Sequence, residues 1–247
     1  MAETNSLLNC RRSNPTTSSN LVPSANLRLT RQSTEKSTPN FTPGKGLKLG
    51  VFDYNHNHLF YIKISMPNLF KLSKAINAIL YSLQQLGGKT DMHKLCKILY
   101  FADQTHLSTY GRSITGDRYI AMQYGPVPSA VDDIFKALRG DSFFSSSKEI
   151  EPFREIIQFE NRFILRGKKK PDLDELSVSD IKCLNDAIEI CRNKSFKELT
   201  TLSHGLAWTN TQKDRTISVK DILREAGDEE AYVEYIADNL KTQSAFL

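Results

Sequence analysis

The sequence predicts a mostly helical α+β fold: a single compact helical domain with a small central β-hairpin or sheet, preceded by a disordered N-terminal segment. Three observations predict it. Apolar residues spaced three and four apart recur after residue 66, β-prone runs with turn signals interrupt them, and residues 9–46 follow neither the helical nor the strand period. We therefore divide the chain into an extension, residues 1–65, and a folded domain, residues 66–241.

The extension carries the whole net charge of +5. Residues 1–65 contain eight of the 33 Lys and Arg and three of the 28 Asp and Glu, which leaves 25 of each for residues 66–247. Its polar composition cannot bury enough apolar surface to fold, so we predict disorder. Richness in Ser, Thr and Arg is also typical of an organelle transit peptide, but the amphipathic helix of such peptides is missing. The longest apolar run, His58 to Ile64, is too short to span a membrane.

The folded domain is predicted to begin with two helices. The first carries an apolar stripe from Leu69 to Leu86 and ends at the glycines 87–88. The second is predicted to start with Thr90 as N-cap and to end at Tyr110. Its buried side is predicted to consist of Leu95, Ile98, Leu99, Ala102 and Leu107.

The middle of the domain is predicted to form the small sheet. Residues 114–124 are predicted to form a hairpin with its turn at residues 115–117, and Ser129 is predicted to cap the helix that follows. Residues 156–159 and 162–165 are predicted to be strands. Later helices are predicted to begin at Ser177 or Ser179, Ser195, Ser218 and Asp228, the last running to Leu240.

The sequence contains none of the common catalytic or nucleotide-binding motifs, so we expect no enzyme activity and no cofactor. His93 and Cys96 lie three apart on a predicted helix, but no further ligands complete a metal site. Cys96, Cys183 and Cys191 lie beside apolar positions and are predicted to be reduced, buried thiols, as in intracellular proteins.

Two histidine pairs have both a functional and a structural interpretation. Asp103 and His106 could form an acid–base dyad, although a solvated helix face or a hydrogen bond from the helix to the hairpin is the simpler interpretation. His204 and Trp208 lie four apart on one helix face and could stack on a ligand, although packing with a hydrogen-bonded imidazole is the simpler interpretation.

Three motifs follow one another along the domain. They consist of Lys97, Leu99, Tyr100, Phe101, Ala102 and Asp103, then Tyr124, Gly125, Pro126 and Val127, then Ser203, His204 and Trp208. This order resembles the SocA-like Panacea domain family over residues 68–210. The resemblance implies a cytoplasmic, bacterial or phage-associated antitoxin that neutralises a cognate protein toxin by direct binding. It also implies that such a protein can deliver its toxin to an AAA+ protease, and it implies no catalysis.

We predict that the toxin contacts the hairpin and the corner after it, at Tyr119, Gln123, Tyr124 and Ser129, because aromatic residues on rigid elements make good interface anchors. A structural corner explains Tyr124, Gly125 and Pro126 slightly better than a contact role does, and Lys94, Tyr100 and Asp103 could instead form an internal polar network. Two alternatives remain. Two helices and a hairpin could form a winged-helix-like DNA-binding unit, with Arg112, Arg118 and the basic N-terminal extension on phosphate. A hydrolase would have to use His93 or His204.

Overall fold

The computed structural model describes residues 69–246, except for the side chains of Phe143, Phe144 and Glu149. The predicted extension, residues 1–65, and its boundary at residue 66 lie outside the described residues. Within those residues the predicted fold class is confirmed, because helices dominate and two small antiparallel sheets complete the fold. No helix in the described part of the chain is long and apolar enough to cross a membrane.

The described α-helices differ widely in length. They are α1 (Leu72–Gln85), α2 (Met92–Tyr110), α3 (Ser129–Arg139), α4 (Glu151–Arg154), α5 (Val178–Arg192), α6 (Phe196–Ser203), α7 (Leu206–Thr209), α8 (Val219–Glu225) and α9 (Glu230–Ala245). Three short 3-10 segments lie at Phe143–Ser146, Lys148–Ile150 and Leu173–Glu175.

The strands form two separate sheets. They are β1 (Lys89–Asp91), β2 (Tyr119–Met122), β3 (Gly125–Pro128), β4 (Ile157–Phe159) and β5 (Ile164–Gly167). The first sheet has the order β1-β5-β4, with Thr90 opposite Leu165, and the second is the hairpin of β2 and β3. Strands β4 and β5 lie within two residues of their predicted positions.

Helix α2 is the centre of the core and packs against α1, α5, α6, α8 and β3. The five apolar residues predicted for its inner face are all buried. Full burial of one large apolar side chain stabilises the fold by about 1.5–3 kcal/mol, so this face anchors the domain. Cys96, Cys183 and Cys191 are free thiols buried in the same core, as predicted.

The start of α2 differs from the prediction. Asp91, not Thr90, is the N-cap, and its carboxylate accepts a 2.8 Å hydrogen bond from the backbone N–H of Lys94. Thr90 lies instead in β1, where it pairs with β5. The pairing joins residues more than 70 positions apart, so local capping signals could not reveal it.

The hairpin also differs from the prediction, because it lies between residues 119 and 128 rather than 114 and 124. Buried Asp103 accepts hydrogen bonds from the backbone N–H groups of Ile114 (2.7 Å) and Thr115 (3.1 Å) and from the Thr115 hydroxyl (2.6 Å). These bonds hold residues 114–117 as a loop. The turn therefore falls at Gln123 and Tyr124.

Helix α3 is capped by a distant residue, not by Ser129. Ser129 is its first residue and donates its backbone N–H to the carbonyl of Arg118. The carboxylate of Asp117 accepts 3.0 Å hydrogen bonds from the N–H groups of Ala130 and Val131. The segment before the hairpin is thereby tied to the helix that follows it.

The predicted capping signals of the last third agree better with the structure. Capping boxes begin α5 at Ser177 and α6 at Ser195, and the Ser218 hydroxyl accepts from the N–H of Lys220 at the start of α8. The last helix is the exception: its N-cap is Glu229 rather than Asp228, and it extends past Leu240 to Ala245.

Candidate functional site

The turn of the hairpin docks on the N-terminal half of α2 and on α6 and α7, and we call residues 122–126 the hairpin tip. At one side of it, the Nζ of Lys97 donates a 2.8 Å hydrogen bond to the carbonyl of Pro126. At the other side, the Nε1 of Trp208 donates a 2.8 Å hydrogen bond to the carbonyl of Met122. Both ends of the tip are thus held through their backbone.

Two histidines hold the middle of the tip. The Nε2 of His93 lies 3.2 Å from the carbonyl of Tyr124, and His204 hydrogen-bonds to the backbone of Gln123. The His204 ring stacks on Trp208, with centroids 3.6 Å apart and an interplanar angle of 4°. Side chains from α2, α7 and the residue after α6 therefore bind the backbone of four of the five residues of the tip, all except Gly125.

Gly125 permits this close docking. Its φ is +99°, a backbone conformation that residues with a side chain rarely adopt. A β-carbon at this position would lie 2.3 Å from the Oγ of Ser203 and 2.7 Å from the Nζ of Lys97. The tip can approach α2 and α6 only because residue 125 has no side chain.

The buried amine of Lys97 lies close to both histidines beneath the tip and affects the pKa of each. Lys97 is completely buried, and burial lowers the pKa of its ammonium group to about 8. The pKa values of His93 and His204 are lowered by burial first and by nearby Lys97 second. Both imidazoles are therefore neutral at neutral pH, so each can donate one N–H to a carbonyl without burying a second charge.

The outer side of the tip is exposed and aromatic. Tyr124 is 50% exposed and Phe196, the first residue of α6, is 52% exposed. Their rings meet edge to face with centroids 5.2 Å apart, and Phe196 also lies against His93 at 4.1 Å. Gln123 is exposed beside them. Together, Gln123, Tyr124 and Phe196 form what we call the tip face.

The residues predicted to contact a toxin do not share one surface. Gln123 and Tyr124 are exposed as expected, and Ser129 is half-buried. Tyr119 is only 4% exposed, and its hydroxyl donates a 2.8 Å hydrogen bond to Asp103. The expectation for Tyr119 is corrected: successive side chains of β2 alternate between buried and half-buried positions, and this ring points into the core.

The polar network predicted around Lys94, Tyr100 and Asp103 is three separate contacts. Lys94 donates to the carbonyl of Arg192, and the Tyr100 hydroxyl donates to Glu225 at 2.9 Å. Asp103 binds the loop after α2.

Val127, the last residue of the second motif, pairs with Ile120 across the hairpin.

The alternative site at His106 is structural. Its Nδ1 lies 2.7 Å from the carbonyl of Arg112, and its Nε2 lies 3.0 Å from both the Ser179 hydroxyl and a carboxylate oxygen of Asp180. Asp103 is not its partner, so the alternative of a dyad is wrong. A hydrogen bond from the helix to the hairpin is formed by Asp103, through the Tyr119 hydroxyl, and not by His106. Arg112, predicted as a phosphate contact, donates to Asp180 at 3.1 Å instead.

Asp180 is a buried charge centre that the sequence interpretation missed. Its carboxylate also binds the ammonium group of Lys74 and the backbone N–H of Ser177. Burial alone would raise its pKa, but these hydrogen bonds and the guanidinium of Arg112 hold it at about 2. No cluster of three or more metal-ligating side chains occurs among the described residues, His93 and Cys96 included.

Comparison with known families points to the same residues. Residues 95–209 match the family model described as Antitoxin SocA-like, Panacea domain. The match begins in α2 and ends with α7, so it contains the hairpin tip, Lys97, His204 and Trp208. The resemblance predicted from the three motifs is thereby confirmed for these residues. No curated protein and no solved structure matches the chain.

Proposed function

Because residues 95–209 match the SocA-like Panacea family, we propose that this protein is a cytoplasmic antitoxin that neutralises a protein toxin by binding it directly. The family name supports the antitoxin role. The arrangement of the hairpin tip supports direct binding, because residues from each of the three family motifs meet there. Lys97, Gly125, Pro126, Ser203, His204 and Trp208 either hold the tip or make room for it.

The observation that carries this proposal is the rigid presentation of exposed aromatic side chains. Four side chains fix the backbone of the tip, so Tyr124 needs little further ordering when it enters an interface. Aromatic residues are enriched among the residues that dominate binding energy in protein interfaces. The tip face therefore combines large contact area with a low entropic cost of binding.

The contacts beneath the tip favour a binding role over a catalytic one. His93 and His204 each use one ring nitrogen on the backbone of the tip. The thiol of Cys96 is buried, and burial raises its pKa to about 12, which suppresses the nucleophilic thiolate. In our proposal these groups shape the tip and do not react with a substrate.

A rescue experiment tests the proposal. The proteins encoded beside this gene are expressed individually in a bacterial host, and we expect one to arrest growth unless this chain is co-expressed. Tyr124→Asp and Phe196→Asp should abolish both rescue and co-purification with the toxin. Tyr235→Asp is the matched control, because Tyr235 is 63% exposed on α9, away from the tip, and should not change rescue.

Three results would contradict the proposal. The first is that no protein encoded beside this gene is a toxin that the chain neutralises. The second is that both tip variants still rescue growth. The third is a well-folded variant that binds the toxin but fails to protect the cells, which would indicate catalysis. Rescue in strains that lack individual AAA+ proteases separates simple occlusion from delivery of the toxin for degradation. A DNA-binding assay with the upstream operator fragment at increasing salt measures the alternative regulatory role.

A further inference from the structure

The tip face is flanked by cations without acidic partners. Lys197 follows Phe196 directly and is exposed. On the side of β2, the N–H of Ala121 donates to the carbonyl of Arg215, and the N–H of Asp214 donates to the carbonyl of Ala121. These bonds fix the segment that contains exposed Lys213 and Arg215 beside the tip.

Some cations elsewhere on the described surface are neutralised by ion pairs. Lys182, Arg192, Lys220 and Arg224 each pair with a carboxylate on their own or a neighbouring helix. Lys197, Lys213 and Arg215 form no ion pair of 4.0 Å or less with the described residues. Asp214 lies between two of them and exposed Glu198 follows Lys197, so three cations and two carboxylates surround the tip face and leave a small excess of positive charge.

We infer that the partner surface which receives the tip face is an acidic protein surface with an apolar recess for Tyr124 and Phe196. This inference rests on the proposed antitoxin function and adds the chemistry of the toxin surface. Opposite charge around an apolar anchor steers two proteins into register and raises their association rate. The local excess of cations supplies that steering, because residues 66–247 as a whole carry none.

The same features favour a protein over a nucleic acid. Nucleic-acid binding depends on an extended basic surface that neutralises many phosphates, whereas residues 66–247 carry equal numbers of basic and acidic residues and only three cations flank the tip face. Aromatic platforms for single strands present their ring faces to successive bases. Here one aromatic pair meets edge to face, at 68°, which suits insertion into a recess.

The test uses the toxin identified by rescue, purified and measured against this chain by surface plasmon resonance at several salt concentrations. We expect Lys197→Glu and the double variant Lys213→Glu/Arg215→Glu each to lower the association rate by about tenfold at low salt, with a smaller effect at high salt. Lys241→Glu is the matched control: Lys241 is exposed on α9, which contacts the C-terminal end of α2, whereas the tip lies at the N-terminal half. Circular dichroism confirms folding of each variant.

The outcomes separate the inference from the proposed function. If Tyr124→Asp abolishes binding but both charge reversals bind at the wild-type rate, the acidic-partner inference is wrong and the antitoxin proposal stands. If no neighbouring toxin is neutralised, both fail. If the charge reversals weaken binding to a labelled 20-mer RNA or DNA and leave toxin association unchanged, the cations serve nucleic acid and the inference is again wrong.

Discussion

Tyr119 and Tyr124 are five residues apart and have opposite environments: the first donates its hydroxyl to buried Asp103 at 2.8 Å, and the second exposes half of its surface at the hairpin turn. The two rings therefore have different roles. Tyr119 anchors β2 to the core, whereas Tyr124 is available to a partner.

We expect Tyr119→Phe to destabilise the protein by about 1–2 kcal/mol, because it removes one hydrogen bond from a buried carboxylate. Tyr124→Phe should change the free energy of unfolding by less than about 0.5 kcal/mol, as is usual for an exposed substitution. Urea unfolding followed by circular dichroism measures both. Equal stability of the two variants would contradict the structural role of the Tyr119 hydroxyl.

We expect Gly125→Ala to destabilise the protein by about 2–4 kcal/mol, since it combines an unfavourable φ with a collision against Ser203 and Lys97. Gly140→Ala is the matched control. Gly140 also has a positive φ, +86°, but nothing lies within 4 Å of its would-be β-carbon, so only the backbone cost of about 1 kcal/mol applies. Similar losses in the two variants would show that the close approach at the tip is unimportant.

We expect Lys97 to make stability depend on pH in the alkaline range. Its folded pKa of about 8 lies below the ordinary lysine value of 10.5, so the unfolded chain binds the proton more tightly. Stability should therefore rise as the pH increases from about 8 towards 10.5, by up to about 3 kcal/mol at ~1.4 kcal/mol per pKa unit. Lys97→Met should remove this rise, and Lys241→Met should keep it. Unfolding curves for the three proteins at pH 7.5, 9 and 10.5 test the sign.

We expect Asp180→Asn to cost about 3 kcal/mol, because it leaves the cations around it without a buried counter-charge. Asp186→Asn, which breaks only the exposed pair with Lys182, should cost less than about 0.5 kcal/mol. The folded pKa of Asp180 is lowered to about 2, so its stabilising contribution is present above pH 4 and is lost as the pH falls through 2. Acid unfolding of Asp180→Asn should therefore show a weaker dependence on pH in that range than wild type, and equal slopes would contradict this assignment.

Local patterns were enough to predict most of the helices. The apolar stripes of α1 and α2 and the capping boxes at Ser177 and Ser195 depend on residues within one or two turns of each other, and all appear in the structure. The errors occur where a distant partner competes. Asp103 binds the backbone at residues 114–115, so the hairpin begins later than predicted. Thr90 pairs with β5 and is therefore a strand residue rather than a helix cap.

The candidate site was only half predictable for the same reason. Each family motif could be read along the chain, but Lys97 and Trp208 are more than 100 residues apart and meet only through the hairpin tip between them. Phe196 carried a signal that was overlooked: an aromatic residue directly after the N-cap of a short helix, outside its buried stripe, is placed for exposure. Asp180 gave no such signal beyond its capping position, because its two counter-charges, Lys74 and Arg112, come from separate segments.

The two prolines of β3 prevent another strand from pairing with the outer edge of the hairpin. Alternate residues of an antiparallel strand direct their backbone groups to the same side. The carbonyl of Pro126 points away from β2 to Lys97, so the outward positions of β3 are Pro126 and Pro128, which have no N–H to donate. The outer edge of β2 is occupied by the backbone of residues 214–217. A partner therefore cannot bind this hairpin by adding a strand to it, and the same closure protects the hairpin from edge-to-edge aggregation.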